Sequence, residues 1–241
     1  YFYIIAPTRL SVGDIIKSGN FGESKLGHSL PLFKISVGSF IYNISLKPYK
    51  ISKLNRAAGT YSILLEKTSK YVLRALALYL KLDEFYFDKY IVNGNSILRP
   101  IHYPPILEKP KDAVRAAAHG DINLITLLMG AQGRGLQVKN NKGEWIDAIA
   151  SKDQLMINVG DMLSRHTNNK LKSTVHRVIN PSKELMKKSR YSIPFFMHPI
   201  SDMKLNVLES CIDENNPKSF DDITAGEFLN QRLVELGLLK K

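Results

Sequence analysis

His119-Gly120-Asp121, the triplet that opens the apolar run at residues 122–129, is the stretch from which the chain is best read. If the triplet lies on or just after a strand, side chains two apart share a face, so His119 and Asp121 can converge on one point. A second imidazole would complete a three-donor set, and His176 is the candidate. Two neutral imidazoles and one carboxylate suit one face of an octahedral iron(II) and leave three positions for other ligands. Fourteen residues beyond His176, Arg190 and Ser192 again share one face of an apolar strand. There a guanidinium fork and a hydroxyl can hold a carboxylate. These five residues point to a metal and a carboxylic acid.

Outward from that stretch the chain reads as short strands with turns between them. Residues 96–102 predict a strand closed by Tyr103-Pro104-Pro105, and residues 136–138 and 144–147 flank Asn140-Asn141-Lys142-Gly143, a hairpin signal. Residues 155–159 continue the pattern, Gly160-Asp161 turns into a short helix at 162–165, residues 174–179 carry His176, and residues 190–197 carry Arg190 and Ser192. Helical spacing appears at Leu73, Leu76, Ala77 and Leu80, and again at residues 224–239. Many short strands with helices at the ends predict a mainly β fold of the double-stranded β-helix, or jelly-roll, type with flanking helices.

The first third differs in character. Residues 1–70 hold ten Lys/Arg against three Asp/Glu, a net +7 of the whole chain's +12. Short strands at 3–6, 14–17, 33–36 and 40–46, broken by Gly and Pro turns, predict a small β-barrel. Tyr3-Ile4-Ile5-Ala6-Pro7, Val12-Gly13-Asp14, Ile44-Ser45-Leu46-Lys47-Pro48 and Arg56-Ala57-Ala58-Gly59-Thr60-Tyr61 resemble the SH3-like domain of large-subunit ribosomal protein L2, in its mitochondrial form. That resemblance implies ribosomal RNA as a partner of residues 1–72, with Lys47, Lys50, Lys53 and Arg56 contacting phosphates. It also sets a second functional reading, a non-catalytic ribosomal component, beside the metal-site reading.

With 44% hydrophobic residues in 241, the chain can bury a real core. The single cysteine, Cys211, excludes an internal disulfide and any cluster of cysteine ligands, and reads as a small buried hydrophobe. No apolar run approaches the roughly 18 residues of a membrane span, and the start lacks a charged region before its short apolar stretch. No membrane segment or signal peptide is expected. The expected compartment is the cytoplasm, or the mitochondrion if the ribosomal resemblance governs.

An HxD triplet alone is weak, but here it has company. Ala118-His119-Gly120-Asp121, Leu136-Gln137-Val138, Trp145, Asn158-Val159-Gly160-Asp161, Ser173-Thr174-Val175-His176-Arg177-Val178 and Arg190-Tyr191-Ser192 follow in order. Together they resemble the isopenicillin N synthase-like branch of the iron(II)/2-oxoglutarate-dependent dioxygenases, over about residues 73–241. The resemblance implies Fe(II) bound by His119, Asp121 and His176, and 2-oxoglutarate fixed through its distal carboxylate by Arg190 and Ser192. Tyr103 matches the second Tyr of the family's Asn-Tyr-Tyr-Pro motif and would donate a hydrogen bond to the cosubstrate. Ile101 and His102 depart from that motif, and His102 reads as packed or facing substrate. The implied enzyme consumes dioxygen and oxidises a small organic molecule, by hydroxylation or desaturation. The family's usual N-terminal helical region is replaced by the ribosomal-like piece. Phe195, Phe196 and Trp145 read as core before pocket, and His166 and His198 as solvent-facing or structural.

Overall fold

The computed structural model describes residues 65–108, 113–129, 135–151 and 154–239 continuously, and before them residues 11, 13–19, 23, 25, 27–31, 34, 35, 40, 41, 62 and 63. The chain divides into two compact units, Tyr1–Tyr71 and Val72–Lys241. Within the first, the described residues form one antiparallel pair, β1 (Phe40–Ile41) with β2 (Ser62–Ile63), and an isolated parallel bridge between Ser18 and Ser29. No barrel is seen among them, so the expected SH3-like fragment is not supported. Lys47, Lys50, Lys53 and Arg56, expected to contact RNA, lie outside the described residues.

Helix α1 (Leu65–Tyr79) begins eight residues before the Leu73 at which the apolar spacing starts. That spacing does its expected work: Leu73, Ala77 and Leu80 are fully buried, while Leu78 and Tyr79 on the other side are exposed. A short helix α2 (Asp88–Ile91) follows, tied back to α1 by Arg74, whose guanidinium donates to both carboxylate oxygens of Asp88 at 3.2 and 2.6 Å.

The second unit is mainly β, and its described strands pair antiparallel throughout. The strand expected at residues 96–102 is two strands, β3 (Ile97–Leu98) and β4 (Ile101–Tyr103), because Pro100 has no N–H to give a ladder. Then come β5 (Ala116–His119), β6 (Ile125–Met129), β7 (Leu136–Lys139), β8 (Trp145–Asp147) and β9 (Leu155–Val159). Helix α3 (Asp161–His166), β10 (His176–Val178) and a helix absent from the sequence reading, α4 (Lys183–Met186), lead to β11 (Arg190–Ser192) and β12 (Pro194–Met197). Helix α5 (Ala225–Glu235) closes the described chain, with Thr224 and Glu227 forming a reciprocal capping box at its start.

Two four-stranded sheets result, in the orders β5-β10-β7-β8 and β3-β12-β6-β9, and β4 pairs with β11 beside them. This arrangement is consistent with a jelly roll. Residues 190–197, read as one strand, change partner at Ile193: Arg190–Ser192 pairs with β4, and Pro194–Met197 pairs with β6. Strand β6 separates two environments. Ile125 and Leu127 are fully buried with Leu124, Met162, Leu163 and Met197, each worth about 1.5–3 kcal/mol of burial. Thr126 and Leu128 alternate with them and face a cavity of about 520 Å³ walled by strands of both sheets.

Candidate metal centre

The antiparallel ladder between β5 and β10 sets His176 directly opposite His119, with a bulge between His176 and Val178. The two imidazole centroids are 4.4 Å apart, and His176 Nε2 lies 3.8 Å from Asp121 Oδ1. Donor atoms of His119, Asp121 and His176 all fall within 4.8 Å of one another, at the wall of the cavity. The sequence reading therefore brought together three residues that the fold also brings together.

Each donor is oriented by a further hydrogen bond. His119 Nδ1 donates to the Ala117 carbonyl at 2.7 Å, and His176 Nδ1 donates to the Thr174 carbonyl at 3.1 Å. A carbonyl only accepts, so in the neutral rings the proton sits on Nδ1 and the lone pair is left on Nε2. Asp121 is buried, and its Oδ2 accepts from Thr126 Oγ1 at 2.6 Å and from Asn158 Nδ2 at 2.8 Å. Thr126 Oγ1 is in turn held by Asn123 Nδ2 at 3.0 Å. Oδ1 is the oxygen that faces the imidazoles. Two imidazole nitrogens and one carboxylate oxygen, each backed by a hydrogen-bond partner, form a donor set that fits iron(II).

Thr126, Asn123 and Asn158 were not read from the sequence as contributors. The signal was available for Thr126, a hydroxyl residue two positions into an apolar strand with nothing else to explain it. Gly160 shows the same tightness from the backbone side: a Cβ there would stand 2.2 Å from the Asn123 carbonyl oxygen.

Tyr103, Arg190 and Ser192 also meet. Arg190 and Ser192 are buried on one face of β11, with Tyr191 exposed between them, and Tyr103 pairs with Arg190 across the β4–β11 ladder. All three line the cavity. Arg190 Cζ lies 5.1 Å from the Tyr103 ring centroid, and its Nε and Nη1 have no partner among the described residues. Burial pulls the Arg190 guanidinium below its ordinary range, and the neighbouring Tyr103 works against that. Orphaned, buried guanidinium donors call for an anionic acceptor, and a carboxylate matches their fork.

Of the other imidazoles His102 departs from expectation, while His166 and His198 are structural, one of the two roles expected of them. His102 is exposed on the outward side of β4, stacked on Tyr191 at 4.7 Å, because it alternates with the cavity-lining Ile101 and Tyr103. His166 and His198 are buried, and burial lowers both to about 4; for His198 the charge of Asp121 pulls the other way. Phe196 lines the cavity, Phe195 is core, and Trp145 stacks under Arg177 at 4.1 Å.

Comparison with known proteins fits this constellation. The model of the 2OG-Fe(II) oxygenase superfamily matches residues 94–199, which contain every residue of the site. Residues 94–199 are thus similar to a 2OG-Fe(II) oxygenase domain. A curated relative, the 2-oxoglutarate-Fe(II) type oxidoreductase ppzC of Metarhizium rileyi, is 36% identical over 68% of this chain and 45% of its own length. A full-length Neurospora crassa protein solved in complex with alpha-KG is 35% identical, with a TM-score of 0.65 over 71% of this chain and 54% of that one. Kihadalactone A synthase of Citrus sinensis is 28% identical over 95% of this chain and 70% of its own length. The chain spans about half the length of the first curated relatives it matches. Proteins of this superfamily require Fe(II), 2-oxoglutarate and dioxygen. The ribosomal resemblance of residues 1–72 finds no support, and the Citrus match extends over 95% of the chain. Nothing supports ribosomal RNA as a partner. Among the described residues no helix is long and apolar enough to cross a membrane.

Proposed function

We propose that this chain is a non-haem iron(II) oxygenase that couples oxidative decarboxylation of 2-oxoglutarate to hydroxylation or desaturation of a small organic substrate. The observation that carries the reading is the oriented donor set: two imidazoles whose Nδ1 atoms are occupied by backbone carbonyls, and a buried carboxylate with one oxygen tied down. His119 and His176 through Nε2 and Asp121 through Oδ1 would hold the metal. Iron(II) held there would supply electrons to dioxygen, which otherwise reacts poorly with closed-shell organic molecules.

The chain's own residues then bind and orient. Arg190 would take the distal carboxylate of 2-oxoglutarate in a fork and Ser192 would add a hydroxyl from the same face of β11, with Tyr103 packed against the guanidinium. Thr126 and Asn158 hold Asp121 Oδ2, which keeps the carboxylate from rotating. Leu128, Leu136, Val138 and Met156 give the cavity apolar walls that exclude water. The two sheets close as a jelly roll around the cavity, which takes a small organic substrate. The relative solved with alpha-KG supports the cosubstrate.

The test is to supply Fe(II) and 2-oxoglutarate to the full chain without oxygen, admit oxygen with candidate substrates, and measure succinate. His176→Ala should abolish succinate formation. No succinate from the intact chain, or equal amounts from the variant, overturns the reading.

A further inference from the structure

The cavity is more basic near Tyr103 than one cosubstrate carboxylate requires. Arg115, immediately before β5, lines the same cavity, and its buried Nε has no partner among the described residues. Its Nη2 reaches only the Lys188 carbonyl, at 3.5 Å. Arg115 Cζ lies 5.8 Å from the Tyr103 ring centroid and Arg190 Cζ 5.1 Å from the same centroid, so the two guanidinia share one aromatic neighbour. Arg190 is buried and Arg115 half-buried, and like charges held close at the wall of a partly enclosed cavity repel unless an anion joins them. Among the described residues of the cavity wall the only carboxylate is Asp121, which is engaged with Thr126, Asn158 and the imidazoles. Arg115 stands four residues before His119, on the order of 13 Å along an extended chain, which sets it away from the triad.

We propose that Arg115 is a second guanidinium for the distal carboxylate of the cosubstrate, and that the pair makes the site select a 2-oxo dicarboxylate over a 2-oxo acid that lacks the second carboxylate. The proposal rests on the function proposed above. Arg190 supplies the fork, and Arg115 brings a second cation to the same carboxylate beside Tyr103. Without an anion between them the two cations repel; with one, both are satisfied.

The experiment compares two ligands on the Fe(II)-loaded full chain under nitrogen: 2-oxoglutarate, and 2-oxopentanoate, which carries a methyl group where the distal carboxylate would be. Absorption of the iron–2-oxo acid chelate reads the Kd of each. Arg115→Met is expected to raise the Kd of 2-oxoglutarate about tenfold, equivalent to about 1.4 kcal/mol, and to leave that of 2-oxopentanoate within about twofold. Arg115→Lys should recover part of the loss. An equal loss for both ligands, which a merely structural Arg115 would give, overturns the proposal, and so does an unchanged Kd for 2-oxoglutarate. If circular dichroism shows Arg115→Met unfolded, Arg115→Gln and Arg115→Lys decide by the same comparison. Wild-type chain that forms no chelate with 2-oxoglutarate overturns the function itself, an outcome separate from the others.

Discussion

Thr126 Oγ1 donates a 2.6 Å hydrogen bond to Asp121 Oδ2, and this bond fixes which oxygen of the carboxylate faces the two imidazoles. Partners of this kind, one bond removed from a metal ligand, commonly shift metal affinity 10–100-fold. Thr126→Val keeps the shape and removes the donor. It is expected to weaken Fe(II) or Co(II) binding about tenfold in an anaerobic titration, with the fold intact. Unchanged affinity would mean that Asn158 alone orients Asp121.

Arg190→Lys replaces a planar fork by a point charge. The expected result is a rise of about tenfold or more in the KM for 2-oxoglutarate, while Fe(II) affinity measured without cosubstrate stays the same. Loss of iron binding in this variant would show that Arg190 supports the fold of the site and does not take the cosubstrate.

Two glycines near the triad should respond differently to alanine. At Gly160 the new Cβ would meet backbone, the Asn123 carbonyl oxygen at 2.2 Å, which cannot move without disturbing the bonds Asn123 makes to Thr126 and Ile125. At Gly120 the nearest atoms are side-chain oxygens of Asp161 and Ser173 at 2.9 and 3.0 Å. Gly160→Ala is expected to destabilise by about 1–3 kcal/mol and Gly120→Ala by less, measured by urea unfolding. The reverse order would contradict this account of the packing.

His166 gives the protein a pH dependence that owes nothing to catalysis. Its ring is fully enclosed and shares a 2.8 Å hydrogen bond with the Tyr86 hydroxyl, and burial holds it at about 4, below the 6.5 of an exposed imidazole. Between those values the unfolded chain binds the proton and the folded chain does not, so stability falls as pH drops from about 6.5 to about 4 and levels off below. The loss is on the order of 3 kcal/mol for this residue. His198, lowered to about 4 in the same way, adds to the slope. His166→Gln should flatten the dependence of unfolding free energy on pH by roughly half, and an unchanged slope would place the titration elsewhere.

The sequence made the triad legible because His119, Asp121 and His176 sit on or beside strands, where a two-residue period fixes the facing and a ladder fixes the opposition. Arg190 and Ser192 were legible for the same reason. Arg115 was not, since its importance comes from Tyr103 and Arg190, and neither was Asn158, which reaches Asp121 from 37 residues away. Strand ends were blurred at Pro100 and Ile193, where a missing N–H and a change of partner strand interrupt an apolar run that reads as continuous. His102 was misplaced by one position of that same alternation. The ribosomal reading finds no support; short motifs carried it without any set of residues that a fold must bring together.

The hydrogen-bonded group around Asp121 is drawn largely from one short piece of chain, since His119, Asp121, Asn123 and Thr126 lie within eight consecutive residues. Two donors and most of their support therefore lie in that one segment, and His176 arrives from about 55 residues away and Asn158 from 37. A bound ion fastens the two ends of that long loop, whose closure entropy grows only with the logarithm of its length. A metal held there would thereby be a clasp on the β5–β10 pairing, and loading the protein with an inert divalent ion should slow the opening of that sheet edge.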